Sequence, residues 1–299
     1  MNITKRETLV QNIAYMAIMA AINVVFVLIT TLVPALLFLM IFVLPLTSTM
    51  VTLLCKKKYF PIYAVATIGL CMVVTLWKID DTIFYVIPSI ITGFFFGIMM
   101  EKGIPAPWII LCNTIIQLGL SFASVPLIQV MTGRNIITDF ATVFKLNNFA
   151  HLDILSVCFV FVLSLIQMIF SYMISKEEMQ KLGFKFNEFD GKHPTFLLGL
   201  GTSLTVTLIF SFFYPPIAYL FSLISLFITG VITVPLLLEK KKWIYASLVG
   251  LLIFTFFFVG GLYTLIPAPN GMLLINILFV GITLIVLINN LLLKKNRKR

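Results

Sequence analysis

The sequence predicts an all-α, polytopic transmembrane helix bundle of about ten spans, with both termini in the cytoplasm. Hydrophobic residues make up 61% of the chain and charged residues only 11%, whereas a soluble domain carries about 25% charged residues. The charges separate apolar segments that are long enough for a helix to cross roughly 30 Å of hydrocarbon. The basic residues lie overwhelmingly on one side of these segments, and this asymmetry predicts the orientation.

The breaks between apolar segments place the ten predicted helices. They cover residues 9–33, 35–55, 59–77, 82–100, 107–131, 153–175, 195–213, 216–238, 243–264 and 272–293. Only Pro34 separates the first two segments. A single helix over both would be about twice as long as the hydrocarbon is thick, at roughly 1.5 Å per residue. We therefore expect two spans that are joined by a tight turn.

The distribution of basic residues predicts the topology. Eighteen of the 21 Lys and Arg residues precede the first span or follow an even-numbered span, and only Lys78, Arg134 and Lys145 fall in the opposite loops. Because cytoplasmic loops carry the excess of Lys and Arg, we expect both termini to be cytoplasmic and the protein to lie in the cell membrane. Topology and contact with anionic headgroups of the lipid bilayer explain the net charge of +10, so no nucleic-acid partner is expected.

The longest polar stretch divides the chain into two parts. We predict a six-helix membrane domain over residues 1–178, a cytoplasmic linker over 179–194 and a four-helix membrane domain over 195–299. Each part contains a helix that a proline opens and three lysines close, at Lys56–Lys58 and Lys240–Lys242. The equal orientation fits a parallel repeat, but lysines accumulate at any cytoplasmic helix end, so both explanations stay open.

Motifs for catalysis or metal binding do not stand out, and we expect no enzyme, no catalytic residues, no cofactor and no metal site. No Asp, Glu, Lys or Arg lies near the centre of a predicted span, which argues against a proton- or sodium-coupled carrier. His151 and His193 lack metal-ligand spacing. No P-loop motif is present, so the chain would not hydrolyse ATP alone by that route.

The first span carries a face of small residues. Ala14, Ala17 and Ala21 are three and four residues apart and therefore share one side of the helix. Small residues on one face let two helices approach closely in lipid. The face can pack inside the bundle or against another protein, and the spacing does not decide between these.

Two sets of polar residues are candidates for ligand binding. Asn113 and Gln117 are four residues apart on the fifth predicted span, where such amides either bond neighbouring helices or line a cavity for a neutral ligand. Trp77, Asp81 and Arg134 lie in loops on the predicted outer side. A tryptophan of the interfacial belt and solvated charges explain this second set as well as a binding mouth does.

Residues 5–175 also show a pattern of known membrane proteins. A short basic segment, Thr4-Lys5-Arg6, precedes the Ala-rich helix IAYMAIMAAINVVF, a lysine-bearing loop follows the second span, and the fourth span contains IPSIITGFFFGIMMEKG. This pattern resembles the S components of energy-coupling-factor (ECF) vitamin transporters. The segment Ile87–Gly103 is also similar to the YybS-type (DUF2232) membrane proteins. Typical S components end after six spans, and the four additional helices here depart from that pattern.

The resemblance implies a function. An S component is the membrane-embedded substrate-binding part of a transporter, takes up a small vitamin-like nutrient, and is energised by a transmembrane coupling subunit and cytoplasmic ATPases. Its alanine face packs on the coupling subunit, a role that would fall here to Ala14, Ala17 and Ala21. Because S components bind their ligand from the outer side, we expect one outward-facing pocket.

The predicted pocket residues are Asn113, Gln117, Trp77, Asp81 and Arg134. The alternatives are a YybS-like protein of structural or regulatory role without a transported ligand, and a stand-alone secondary carrier or flippase.

Overall fold

The computed structural model describes residues 6–33, 36–143, 145–146, 151–181, 183, 194–238, 241–263 and 270–296. Within these ranges the secondary structure is helical, with no strand. Nine of the described helices are long and apolar enough to cross a membrane. The prediction of a helical, multi-pass membrane protein is therefore confirmed.

The described helices are numbered along the chain. In chain order they are α1 (Leu9–Leu32), α2 (Leu37–Leu54), α3 (Phe60–Val74), the single turn α4 (Ile79–Asp81), α5 (Ile87–Glu101), α6 (Ala106–Thr132), α7 (Ile136–Val143), α8 (Leu152–Lys181), α9 (Pro194–Phe213), α10 (Pro215–Leu238), α11 (Lys242–Tyr263) and α12 (Asn276–Asn296). Short 3-10 segments cover Lys57–Tyr59, Leu76–Lys78 and Asn270–Ile275, and a π-helical turn covers Thr82–Val86.

Each predicted span overlaps a helix, although several boundaries differ from the predicted ones. The predicted turn residue Pro34 lies outside the described residues. Helix α8 continues to Lys181, past the predicted start of the linker at residue 179, and most of that linker lies outside the described residues. The predicted loop 132–152 contains α7, whose apolar residues recur at helical spacing but form a segment too short to register as a span.

The chain divides into two compact units, each of which is described by itself. The first consists of residues 1–149 and 159–188, and the second of residues 150–158 and 189–299. The predicted division into domains at 178 and 195 stays a prediction.

In the first unit, α2 and α5 pack closely at two glycines. A Cβ atom added at Gly93 would lie 2.5 Å from the Cβ of Ser48 and 2.6 Å from the carbonyl oxygen of Pro45. One added at Gly97 would lie 2.7 Å from the Cβ of Thr52. Only glycine permits this approach, because there is no room for a methyl group, as in other close helix pairs in membranes.

A buried hydrogen-bond network joins α1, α2 and α3. The side-chain amide of Asn23 donates to the Tyr63 hydroxyl at 2.9 Å. The Thr47 hydroxyl donates to the Asn23 amide oxygen at 2.7 Å, and the Tyr63 hydroxyl donates to Thr47 at 3.4 Å. All three side chains are buried. The network therefore specifies how these three helices are placed, since a shift of any one would leave polar groups unpaired in lipid.

Hydrogen bonds of one side chain join the beginning of α1 to the end of α2. The buried side chain of Asn12 donates to the carbonyl oxygens of Arg6 (2.8 Å) and Thr8 (2.7 Å) and accepts from the backbone N–H of Lys56 (2.8 Å). Lys57 and Glu101 form an ion pair at 2.5 Å, which joins the ends of α2 and α5. We call this side of the unit, with its three lysines at 56–58, the basic end.

The second unit is held together by hydroxyl and amide groups. Ser225 on α10 donates to the Ser203 hydroxyl on α9 at 2.8 Å, and Ser222 donates to Asn276 of α12 at 3.1 Å. Lys241 donates to the buried Asn289 at 2.9 Å. Such bonds between helices replace the hydrophobic drive that is absent in lipid.

Candidate functional site

The alanine face of α1 is exposed. Ala14, Ala17 and Ala21 are all exposed, whereas Ala20 belongs to the buried core. Asn12 and Asn23 lie on the buried face, about three helical turns apart and opposite the three alanines. Helix α1 is thus bonded into the bundle on one side and exposes the three alanines on the other, together with bulkier side chains such as Ile18 and Val25.

The two predicted amides are buried and contact α5. Gln117 on α6 accepts a hydrogen bond from the Thr92 hydroxyl at 3.1 Å. The Asn113 amide donates to the Ile109 carbonyl at 2.8 Å and contacts the Met99 sulfur at 3.5 Å. The amide oxygen of Asn113 is buried and has no hydrogen-bond partner among the described residues. Asn113 therefore retains an unused acceptor inside the unit.

A third amide connects α8 to the same helix. Gln167 donates to the Ser89 hydroxyl on α5 at 3.2 Å. We call Ser89, Thr92, Asn113, Gln117 and Gln167 the amide layer. Sequence reasoning did not identify Ser89 and Thr92, because helical hydroxyls usually bond to their own backbone and their position opposite an amide depends on helix packing.

An ion-pair cluster lies at the other end of α6. The Arg134 guanidinium bonds to Asp80 at 2.7 Å and to Asp139 at 2.9 Å, which ties the start of α7 to α4. The Arg134 side chain is 59% exposed, so solvent screens both pairs and each contributes about 0–1 kcal/mol. We call Arg134, Asp80 and Asp139 the Arg134 cluster. The partner of Arg134 on α4 is Asp80, whereas the predicted site residue is the neighbouring Asp81.

Local sequence explains the position of α7. Gly133 ends α6 in the left-handed conformation, with φ of 70°, which glycine adopts without strain. The Asn135 side chain then accepts from the backbone N–H of Ile137 at 3.0 Å and begins α7. The rings of Phe140 and Phe159 lie 4.8 Å apart, so α7 also packs on α8. Trp77, which is 62% exposed, lies in the 3-10 turn that leads to α4.

The predicted site residues lie at two levels. Asn113 and the end of α6 at Thr132 are about five helical turns apart, or roughly 28 Å at 1.5 Å per residue. The structure therefore brings Asn113 and Gln117 together with α5, and brings Arg134 to Asp80, without joining these two sets around one small molecule. The amide layer is the buried set of site residues. The Arg134 cluster lies at the other end of α6.

The comparisons with known proteins find no relative. No family model, curated protein or solved structure matches the chain. The chemistry of the site thus has to be argued from its own side chains. Among the described residues, no group of three or more His, Cys, Asp or Glu is placed to hold a metal ion. The amide layer offers uncharged hydrogen-bond donors and acceptors, which suit a neutral ligand.

Proposed function

We propose that the chain is the membrane-embedded substrate-binding component of an ECF-type transporter, which takes up a small vitamin-like nutrient. Separate cytoplasmic ATPases and a transmembrane coupling subunit supply the energy. The observation that carries the proposal is the exposed face of Ala14, Ala17 and Ala21 on a helix whose opposite face is bonded into the bundle.

This arrangement suits docking because α1 is already ordered. Asn12 and Asn23 hold the helix through hydrogen bonds to α2, α3 and the N-terminal segment. A partner helix that packs on the alanines does not have to order α1, so little conformational entropy is lost on binding. Alanine side chains also let the two backbones approach closely.

The proposed topology has ten spans, with both termini cytoplasmic and the protein in the cell membrane. The Lys57–Glu101 pair brings the ends of α2 and α5 to one side, as expected for helices that both run toward the cytoplasm. The Arg134–Asp80 pair brings the loops after α3 and α6 together, as expected for two outer loops. Both pairs support the predicted alternation of sides.

Ligand binding is assigned to the two levels of the first unit. In this proposal the amide layer holds the nutrient through Asn113 and Gln117. Trp77, Asp81 and Arg134 form the outer entrance, where the Arg134 cluster ties α7 beside α4. In this proposal a nutrient first meets the charged outer residues and is then held by the neutral amide layer, whose Asn113 lies roughly 28 Å further along α6.

The test is a pull-down of the tagged full chain in mild detergent. ATPases and a coupling protein should co-purify with the unchanged chain. Ala17→Trp and Ala21→Trp should lose them and keep the melting temperature, because a bulky ring keeps the partner helix away. Val65→Trp is the matched control, since Val65 is 73% exposed on α3 and should leave the pull-down unchanged.

Two results would count against this proposal. If no ATPase co-purifies with the unchanged chain, the proposed transporter assembly is contradicted. The result would then favour the alternative of a YybS-like structural role. If the alanine variants bind the same partners as the control, the alanine face is not the docking surface.

A further inference from the structure

Two basic side chains at the basic end lie on aromatic rings. The guanidinium carbon of Arg6 lies 3.5 Å from the centroid of the Tyr15 ring. The Lys58 ammonium lies 4.9 Å from the centroid of the Tyr59 ring. Both tyrosines pack against one buried apolar cluster, so helix packing sets their positions. An aromatic face attracts and orders a cation, but it carries no net charge that would neutralise the cation.

A third basic side chain, that of Lys56, is held by the backbone. Its ammonium donates to the carbonyl oxygen of Glu7 at 2.7 Å. The buried Asn12 amide bonds to the backbones of both Lys56 and Arg6. The Arg6 N–H also donates to the Leu54 carbonyl at 3.1 Å. The segment before α1 and the segment after α2 are therefore joined, which brings their basic residues to one place.

These three basic residues keep their positive charge and are open to solvent. We call them the cation group: Arg6, Lys56 and Lys58. Among the described residues, none of the three side chains forms an ion pair, whereas the adjacent Lys57 is paired with Glu101. The only acidic residue between positions 6 and 59 is Glu7, so three positive charges stand against one negative charge. Both lysines of the group are exposed and the arginine is partly exposed, so an anion can reach all three.

Exposed apolar side chains follow the cation group along α1 and α3. Leu9, Val10 and Ile13 on α1 are each more than half exposed, and so are Ile62 and Val65 on α3. Both helices begin at the basic end, and all five residues lie within the first two turns of their helix. A ligand at this place therefore meets positive charge at the membrane surface and apolar side chains at the adjoining hydrocarbon depth.

We propose that the cation group binds the headgroup of an anionic phospholipid, whose acyl chains lie on the exposed apolar residues that begin α1 and α3. Guanidinium and ammonium groups donate charge-assisted hydrogen bonds to phosphodiester oxygens. Because the three cations are already held in place, little side-chain entropy is lost on binding. A zwitterionic lipid binds more weakly, since its own amine repels the group. The inference goes beyond the proposed function and does not depend on it.

The experiment titrates the purified full chain, in a neutral detergent, with three probes. Dioleoyl phosphatidylglycerol has an anionic headgroup, dioleoyl phosphatidylcholine has the same chains and a zwitterionic headgroup, and inorganic phosphate is an anion without chains. Phosphatidylglycerol should raise the melting temperature in a saturable way, because a ligand that binds only the folded chain stabilises it. The other two probes should leave the melting temperature unchanged at the same concentrations.

Variants locate the binding site. Lys56→Gln with Lys58→Gln, and separately Arg6→Gln, should weaken phosphatidylglycerol binding by about fivefold for each charge removed. Lys58→Arg keeps the charge and should keep the affinity. Lys242→Gln is the matched control, because it removes the same charge from an exposed lysine at the start of α11. Its affinity should stay unchanged, since the control leaves the cation group intact.

Three outcomes would overturn the inference. Equal stabilisation by all three probes, or none by phosphatidylglycerol, would exclude a site for anionic lipid. Stabilisation by inorganic phosphate alone would assign the group to a soluble anion. An equal loss of affinity in the Lys242 control and the double lysine variant would show a diffuse effect of net charge. If the double variant does not fold, Lys58→Gln alone decides, because its side chain contacts only the Tyr59 ring among the described residues.

Discussion

Replacing Gly93 by alanine inserts a methyl group where α2 and α5 are closest. The new Cβ would lie 2.6 Å from the carbonyl oxygen of Pro45 and 2.5 Å from the Cβ of Ser48. A backbone oxygen cannot turn away as a flexible side chain can, so the helices have to separate. Overpacking of this kind costs about 1–3 kcal/mol, and the higher helix propensity of alanine offsets about 0.5–1 kcal/mol of it.

We therefore expect Gly93→Ala to lower the free energy of unfolding by about 1–2 kcal/mol. At about 2–4 °C per kcal/mol for a unit of this size, the melting temperature should fall by roughly 2–8 °C. Thermal unfolding of the purified chain, followed by circular dichroism in detergent, measures this change.

Gly119→Ala on α6 is the matched control for this experiment. Nothing lies within 4 Å of a Cβ added at Gly119, so its melting temperature should stay the same or rise slightly. Equal melting temperatures for the Gly93 and Gly119 variants would refute the close packing of α2 and α5.

Three further predictions concern topology, the buried network and the Arg134 cluster. Thr142→Cys, in α7, should react with an impermeant thiol reagent on intact cells, with little background from the buried Cys55 and Cys71; labelling only after permeabilisation would contradict the predicted topology. Tyr63→Phe should lower the free energy of unfolding by about 0.5–1.5 kcal/mol, because Asn23 and Thr47 lose a partner; an unchanged midpoint on chemical denaturation would show that the network is not needed. Arg134→Gln should speed amide hydrogen exchange in α7 without changing exchange in α5, because α7 loses its tie to Asp80; equal exchange in the variant and the parent would show that the ion pairs do not hold α7.

The positions of the helices could be predicted because each span is a long apolar run between charges. Hydropathy reports such runs directly, and the ends of α6 and α9 agree with the predicted boundaries to within one residue. Helix α7 was missed because eight residues are too few for a span. Its apolar residues at 136, 137, 140 and 141 carried the helical spacing that would have identified it.

The arrangement within the site could be predicted only in part. The spacing of Asn113 and Gln117 correctly placed both on one face of α6, and that face is buried. Their partners Thr92 and Met99 come from a different helix, so the rotation of α5 against α6 decides them, and one sequence does not contain that rotation. The choice of Asp80 over Asp81 by Arg134 depends in the same way on the single turn of α4.

Gly93 and Gly97 show a signal that sequence reasoning left unused. Two glycines four residues apart in an apolar helix are typical of close helix contacts in membranes. The structure places both against α2. The spacing alone would have predicted a tight contact for this face of α5, although not which helix forms it.

Site-specific photocrosslinking at position 17 tests the central claim most directly. A benzophenone side chain in place of Ala17 would be irradiated in living cells, with the same group at Val65 as the control. We expect position 17 to crosslink to a separate multi-span membrane protein that co-purifies with ATPases, and position 65 to give no such product. If position 17 crosslinks to no protein, or to the same proteins as position 65, the proposed docking of α1 on a coupling subunit is contradicted.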